Sequence, residues 1–120
     1  MKKDNRRLKK INNLIKEIVM GILEREVSDP RISLITISEV DTAPDLKTCK
    51  IFYSVYGSEE EKKYTSEALK KASGFIQVKF SEQVSFKYTP KLSFVYDNTL
   101  DKVEKLNNIF KRLKNESRDE

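Results

Sequence analysis

Near the start of the chain, apolar residues recur at three- and four-residue steps: Leu8, Ile11, Ile15, Ile18 and Ile22, with Leu14, Val19 and Leu23 widening the stripe. That period predicts an amphipathic helix over 5–26. Gly21 inside it either lets another element approach closely or is simply tolerated. The helix has to end by Ser28-Asp29, because Pro30 disfavours helical backbone just before it. The pattern then changes. Ile32 to Val40 is rich in β-branched residues and predicts a strand, with a bulge where alternation falters at Leu34-Ile35. Thr48 to Tyr56 alternates cleanly: Cys49, Ile51, Tyr53 and Val55 share one face, Lys50, Phe52, Ser54 and Tyr56 the other. Asp41-Thr42-Ala43-Pro44-Asp45 between them is turn chemistry, so the two strands read as a hairpin with a long connection.

Ser58-Glu59-Glu60-Glu61 has the Ser-x-x-Glu form of a capping box, and its acids suit the positive end of a helix. The acidic run is therefore read as a helix start rather than an acidic binding site. Tyr64, Ala68, Leu69 and Ala72 carry that helix to Ser73-Gly74, and Phe75, Ile76, Val78 and Phe80 continue the apolar pattern beyond. The expectation is a break or kink at Gly74 followed by a second short helix. Val84 to Tyr88 could be extended, and Leu92, Phe94 and Tyr96 alternate as a strand that either begins after Pro90 or lies at an edge. Asp97-Asn98-Thr99 offers caps for a last helix with the stripe Val103, Leu106, Phe110 and Leu113. The order is helix, strand, strand, helix, kink, helix, strand, helix. It predicts one α+β domain over 1–120, with helices on one face of a small sheet and flexible tails at 1–5 and 115–120.

Composition sharpens this. A chain of 120 residues can bury a core without disulfides or metals. Lys+Arg 24 against Asp+Glu 19 gives a net charge of +5 and a pI near 9.2. A basic balance speaks to partners, and leaves nucleic acid, an anionic membrane surface and acidic proteins open. There is no histidine, so the commonest general base and metal ligand are missing, and Cys/His zinc sites with them. Gly21, Gly57 and Gly74 lie too far apart for a phosphate loop, and no carboxylates form a convincing pair. The expectation is a binding protein and not an enzyme, with no catalytic residue, metal, cofactor or small-molecule substrate. No apolar run approaches the roughly 20 residues that span a bilayer, and no signal-type segment follows the charged start. A cytoplasmic protein that does not span a membrane is expected. The lone Cys49, among apolar same-face residues, is read as a core thiol.

Several residues have two readings. Lys2, Lys3, Arg6, Arg7, Lys9 and Lys10, opposed only by Asp4, suit phosphate contact or a solvated helix end. Because such charges oppose the helix dipole, a purely structural reason is the weaker of the two. Ala72-Ser73-Gly74, flanked by Lys70, Lys71 and Lys79, could present backbone N–H groups to a phosphate at the start of a second helix, or could be a plain kink. Arg31 could hold a phosphate or pair with an acid, while Asp29 and Pro30 read as a helix stop. Lys87 and Lys91 flank Tyr88 and Pro90, a pattern that can hold a nucleic-acid backbone, although Tyr88 reads more readily as a half-buried strand residue.

The order of elements and several short motifs resemble the ribosome-binding factor A family of bacterial ribosome assembly proteins. The resemblance runs from about Arg6 to Asp97. It rests on Asp29-Pro30-Arg31 before Leu34-Ile35-Thr36-Ile37, then Val40, Asp45-Leu46, Cys49-Lys50-Ile51, Ala72-Ser73-Gly74-Phe75, and Pro90-Lys91-Leu92-Ser93-Phe94 with Asp97. Two departures stand out: Gln77, and Phe86-Lys87, where relatives often carry Arg and Leu-Arg. The resemblance implies a type II KH-like fold (α-β-β-α-kink-α-β) with an additional C-terminal helix here, and an Ala-x-Gly, matched by Ala72-Ser73-Gly74, in place of the GXXG loop of ordinary KH domains. It implies a monomer that binds the immature small (30S) subunit and its 16S rRNA. Such a protein supports 5′-end processing without cutting RNA, and matters most in the cold. It also favours the RNA reading for the basic residues above. The alternative is a generic KH-type single-stranded nucleic-acid binder unconnected to ribosomes.

Overall fold

The computed structural model describes residues 2–84 and 89–118. Helix α1, Lys2–Arg25, takes in residues expected as tail and turns Ile15, Val19, Ile22 and Leu23 into the core. Gly21 is not there for close approach, since a Cβ built on it would meet nothing within 4 Å. It is a tolerated interior glycine, at a cost of roughly 1 kcal/mol against alanine. Asp29 then caps a 3₁₀ turn, Pro30–Leu34, its carboxylate accepting the Arg31 N–H at 3.0 Å. Pro30 opens the turn, where its missing N–H costs nothing. The strand expected from Ile32 therefore starts only at Ile35: β1 is Ile35–Thr42. The turn buries Ile32 as a strand would, which is why a β-branched run disguised it.

β1 pairs antiparallel with β2, Thr48–Val55. The register shifts between Ile37 and Glu39, so the bulge sits at Ser38 and not at Leu34-Ile35. Ile37 and Val40 are both core residues three positions apart, and only an extra residue brings both onto one face. The hairpin connection turns at Leu46, whose φ of 61° is left-handed. β2 is the central strand, with Cys49, Ile51, Tyr53 and Val55 against the helices. On its other face Lys50 is exposed, Phe52 half-buried and Ser54 buried, while Tyr56, past the strand end, is 85% exposed.

Helix α2, Glu59–Gln83, begins in the expected capping box: Glu61 N–H donates to Ser58 Oγ at 3.2 Å and Ser58 N–H to Glu61 Oε1 at 3.3 Å. The expected division at Gly74 is not found, because α2 is one helix throughout. Leu69 on one side of Gly74 and Ile76 and Phe80 on the other are buried to within 1%. Continuous burial of that stripe outweighs the small penalty of one glycine. α2 crosses over to β3, Lys91–Tyr96, which pairs parallel to β2 from Thr48↔Lys91 to Tyr53↔Tyr96. The extended segment expected over 84–88 lies, apart from Val84, outside the described residues. Asp97 accepts from Thr99 N–H at 3.0 Å and from Thr99 Oγ1 at 2.6 Å, opening α3, Thr99–Arg118. Val103, Leu106, Ile109, Phe110 and Leu113 of α3 all remain exposed.

Candidate nucleic-acid interface

α2 and β3 do not close on each other along their whole length. Between them runs a groove of about 540 Å³. Lys63, Ser66, Glu67, Leu69, Lys70 and Ser73 of α2 form one wall, Leu92, Ser93 and Phe94 of β3 the other, and Tyr53 of β2 reaches in. The helix residues recur at three- and four-residue steps, which puts them on one face. Leu69, Leu92 and Tyr53 are buried, so the floor is apolar. Tyr96 meets the Tyr53 ring edge-on at 5.6 Å and steadies it. Lys63 and Lys70 stand exposed on the rim and form no ion pair among the described residues. Unpaired ammonium groups above an apolar, aromatic floor can hold phosphates and receive the face of a base. Glu67 between them keeps the rim from being uniformly basic.

Of the expected contacts, the groove gathers Lys70 and Ser73. Lys91 is exposed at the start of β3, its N–H donating to Lys47 O at 2.9 Å. No helix begins at Gly74, so the expected row of free N–H groups there does not exist; each is used within α2. Ser73 Oγ instead donates to Lys70 O at 2.8 Å, Ala72 packs on the core, and Gly74 is exposed. Lys71 is exposed outside the groove lining. Lys79 lies along α2, 3.7 Å from Glu82 and 5.6 Å from the centre of the Phe75 ring. Arg31 is paired: Nη2 lies 2.6 Å from Asp29 Oδ2 and Nε 3.0 Å from Oδ1. These hydrogen bonds hold the Asp29 carboxyl down at about 2 and raise the Arg31 guanidinium. Arg6, Arg7, Lys9 and Lys10 are exposed on α1, away from the groove lining. Asn12 anchors that part of α1 to the end of β1, where its Oδ1 accepts from Thr42 N–H at 3.0 Å. Lys2 and Lys3 have helical backbone but undescribed side chains, and Lys87 lies outside the described residues. Sequence reasoning missed Lys63 and Ser66. Their signal was the series 63-66-70-73 on one helix face, which reads as solvated until a strand edge is seen beside it.

A family model described as Ribosome-binding factor A matches residues 7–110. The chain belongs to the ribosome-binding factor A family. The Halothermothrix orenii ribosome-binding factor A is 38% identical over 110 residues, covering 92% of this chain and 90% of that protein. The crystal structure of ribosome-binding factor A from Thermus thermophilus matches with a TM-score of 0.63 at 19% identity, over 74% of this chain and 93% of that one. A Thermus thermophilus homology model, fitted into a cryo-EM map of a complex with the 30S subunit, matches with a TM-score of 0.58 at 20% identity, over 72% and 90%. At those identities the two structures speak to the fold, which is the α+β, KH-like arrangement of this family.

Seen in this member of the ribosome-binding factor A family, the motifs on which the resemblance rests are largely structural. Asp29-Pro30-Arg31 is a cap, a turn opener and an ion pair. Cys49 is buried, 3.4 Å from Thr42 Oγ1, and burial pushes its thiol up, away from the reactive thiolate. Asp97 accepts Ser38 Oγ at 2.8 Å besides Thr99, so the bulge in β1 and the start of α3 meet on one carboxylate. Those hydrogen bonds, led by Thr99, lower its pKa. No three acidic or thiol side chains cluster to hold a metal ion among the described residues. No described helix is long and apolar enough to cross a membrane.

Proposed function

We propose that this chain binds the immature small (30S) ribosomal subunit and its 16S rRNA and supports late maturation of that subunit, including 5′-end processing, without cutting RNA. Family membership across residues 7–110 is the observation that carries the reading. The geometry supports it: the groove between α2 and β3 has an apolar floor and unpaired lysines, as a single-stranded RNA segment requires. Lys63, Lys70 and Ser73 act there, with Lys71, Ala72, Gly74 and Lys79 around them and Lys91 on the strand side; Lys87, outside the described residues, is a further candidate contact. Arg6, Arg7, Lys9 and Lys10, with Lys2 and Lys3, form a second contact area on α1. Arg31 reaches phosphate only by sharing its guanidinium with Asp29. The protein acts as a monomer in the cytoplasm, most importantly in the cold. It works as a wedge, binding one rRNA conformer more tightly than its competitors and so shifting their populations.

The test is co-sedimentation of the purified chain with free small subunits, with joined ribosomes and with an unrelated single-stranded RNA. Selective capture by free small subunits is expected. Equal binding to all RNA favours a generic KH-type module, and metal-dependent cleavage of the RNA by the pure protein overturns the proposal.

A further inference from the structure

Gln77 lies one helical turn beyond Ser73, at the end of the groove. Its side-chain amide spans the gap to β3: Nε2 donates to Pro90 O at 3.0 Å, and Oε1 accepts Leu92 N–H at 2.8 Å. Turned end for end, the amide would set donor against donor and acceptor against acceptor, so its orientation is determined. Pro90 O and Leu92 N–H belong to the outer side of β3, because the intervening Lys91 N–H points the other way, to Lys47 O. The side chain thus takes the place of a peptide group from a neighbouring strand. It satisfies the outer edge of the sheet where β3 begins.

We infer that Gln77 is a positioning residue, a latch that holds the start of β3 against α2 and so sets the distance across the groove between Lys70 and Ser73 on one wall and Leu92 and Ser93 on the other. The inference rests on the proposed role of this groove in binding RNA. Two features make the latch effective. Gln77 is half-buried and sits between Ile76 and Phe80, whose packing fixes α2 at this point. β3 has only six residues and a strand neighbour on one side alone, so on its outer side it is Gln77 that holds its first residues. A hydrogen-bonded side chain on a rigid helix is then what aligns the two walls.

The test uses Gln77→Met, which keeps length and loses the amide, and Gln77→Glu, which keeps an acceptor for Leu92 N–H but sets a carboxylate against Pro90 O. Each is made in the full chain, alone and with Lys70→Ala. Amide hydrogen exchange at Leu92 reads the latch, and dissociation constants for purified small ribosomal subunits and for oligouridylate read the groove. Gln77→Met is expected to speed exchange at Leu92 about tenfold, as loss of one partly buried hydrogen bond implies, with Ile51 in the central strand unaffected. Binding to both probes weakens about five- to tenfold, and Lys70→Ala costs less in the Gln77→Met background than alone, because the two residues share one groove. Unchanged exchange at Leu92 overturns the latch. Unchanged binding, or a Lys70→Ala effect of equal size in both backgrounds, overturns the positioning role and leaves Gln77 a prop of the fold. If Gln77→Met melts below the assay temperature, Gln77→Glu decides the matter by the same readings. If the wild-type chain ignores small subunits, the proposed function fails, while exchange and the oligouridylate cycle still decide the latch.

Discussion

Thr65 is the one buried side chain with an unpaired polar atom among the described residues. It is fully buried on α2, and its hydroxyl finds no partner. An unsatisfied buried hydroxyl costs about 1 kcal/mol or more. Thr65→Val keeps the shape and removes that cost, so the variant is expected to be more stable by about 1 kcal/mol in urea denaturation. A lower midpoint would mean the hydroxyl has a partner after all. Asp29 gives a second residue-scale test. Its folded pKa of about 2 lies below the ordinary 3.8, because Arg31 stabilises the charged form. A depressed carboxyl contributes its stability above the unfolded value and loses it as pH falls. The contribution should be complete above about pH 4 and vanish toward pH 2. Asp29→Asn should flatten that part of the stability curve, measured as urea midpoints across the range. Parallel curves for the two proteins would refute it.

At the scale of elements, α2 shows how far a sequence pattern can be trusted. Its capping box was legible because Ser58 and Glu61 act within one turn. The supposed break at Gly74 was not, because a glycine looks the same whether the chain bends there or runs on. What decides is burial of Leu69, Ile76 and Phe80 on both sides, a tertiary fact. The structure makes the opposite prediction to a kink. Space around Gly74 is open, so Gly74→Ala should raise stability by about 1 kcal/mol, read from the thermal midpoint. A drop would show that the backbone there needs glycine. β1 carries the same lesson. Its composition revealed a strand, but its start depended on Asp29 and Pro30 making a turn first, and its bulge depended on which residues β2 demanded opposite it.

For the whole molecule, the candidate contacts fall into separate areas. The groove draws on α2, β2 and β3, whereas Arg6, Arg7, Lys9 and Lys10 stand on α1. The radius of gyration is 18.0 Å, well above the roughly 13–14 Å of a compact domain this long, and the extents are 65 × 39 × 17 Å. A thin, elongated molecule can touch RNA at distant points, each releasing counterions. Arg6→Ala combined with Arg7→Ala should therefore weaken small-subunit binding and reduce the slope of log affinity against log salt by roughly one to two. An unchanged slope would remove α1 from the interface and leave the groove standing.

Much of what acts within a few residues was legible in the sequence alone: the stripe that makes α1, the alternation of β2, the caps at Ser58 and Asp97, and a chemistry without histidine. These depend on period and neighbour, which a linear chain displays directly. Tertiary structure decided which face met which. It set β3 parallel beside β2, kept α2 whole, and opened a groove whose walls come from residues as far apart in the chain as Tyr53 and Phe94. Lys63 and Gln77 gained their roles only then. A lysine or an amide on a helix face has no assigned partner until packing puts a strand edge beside it.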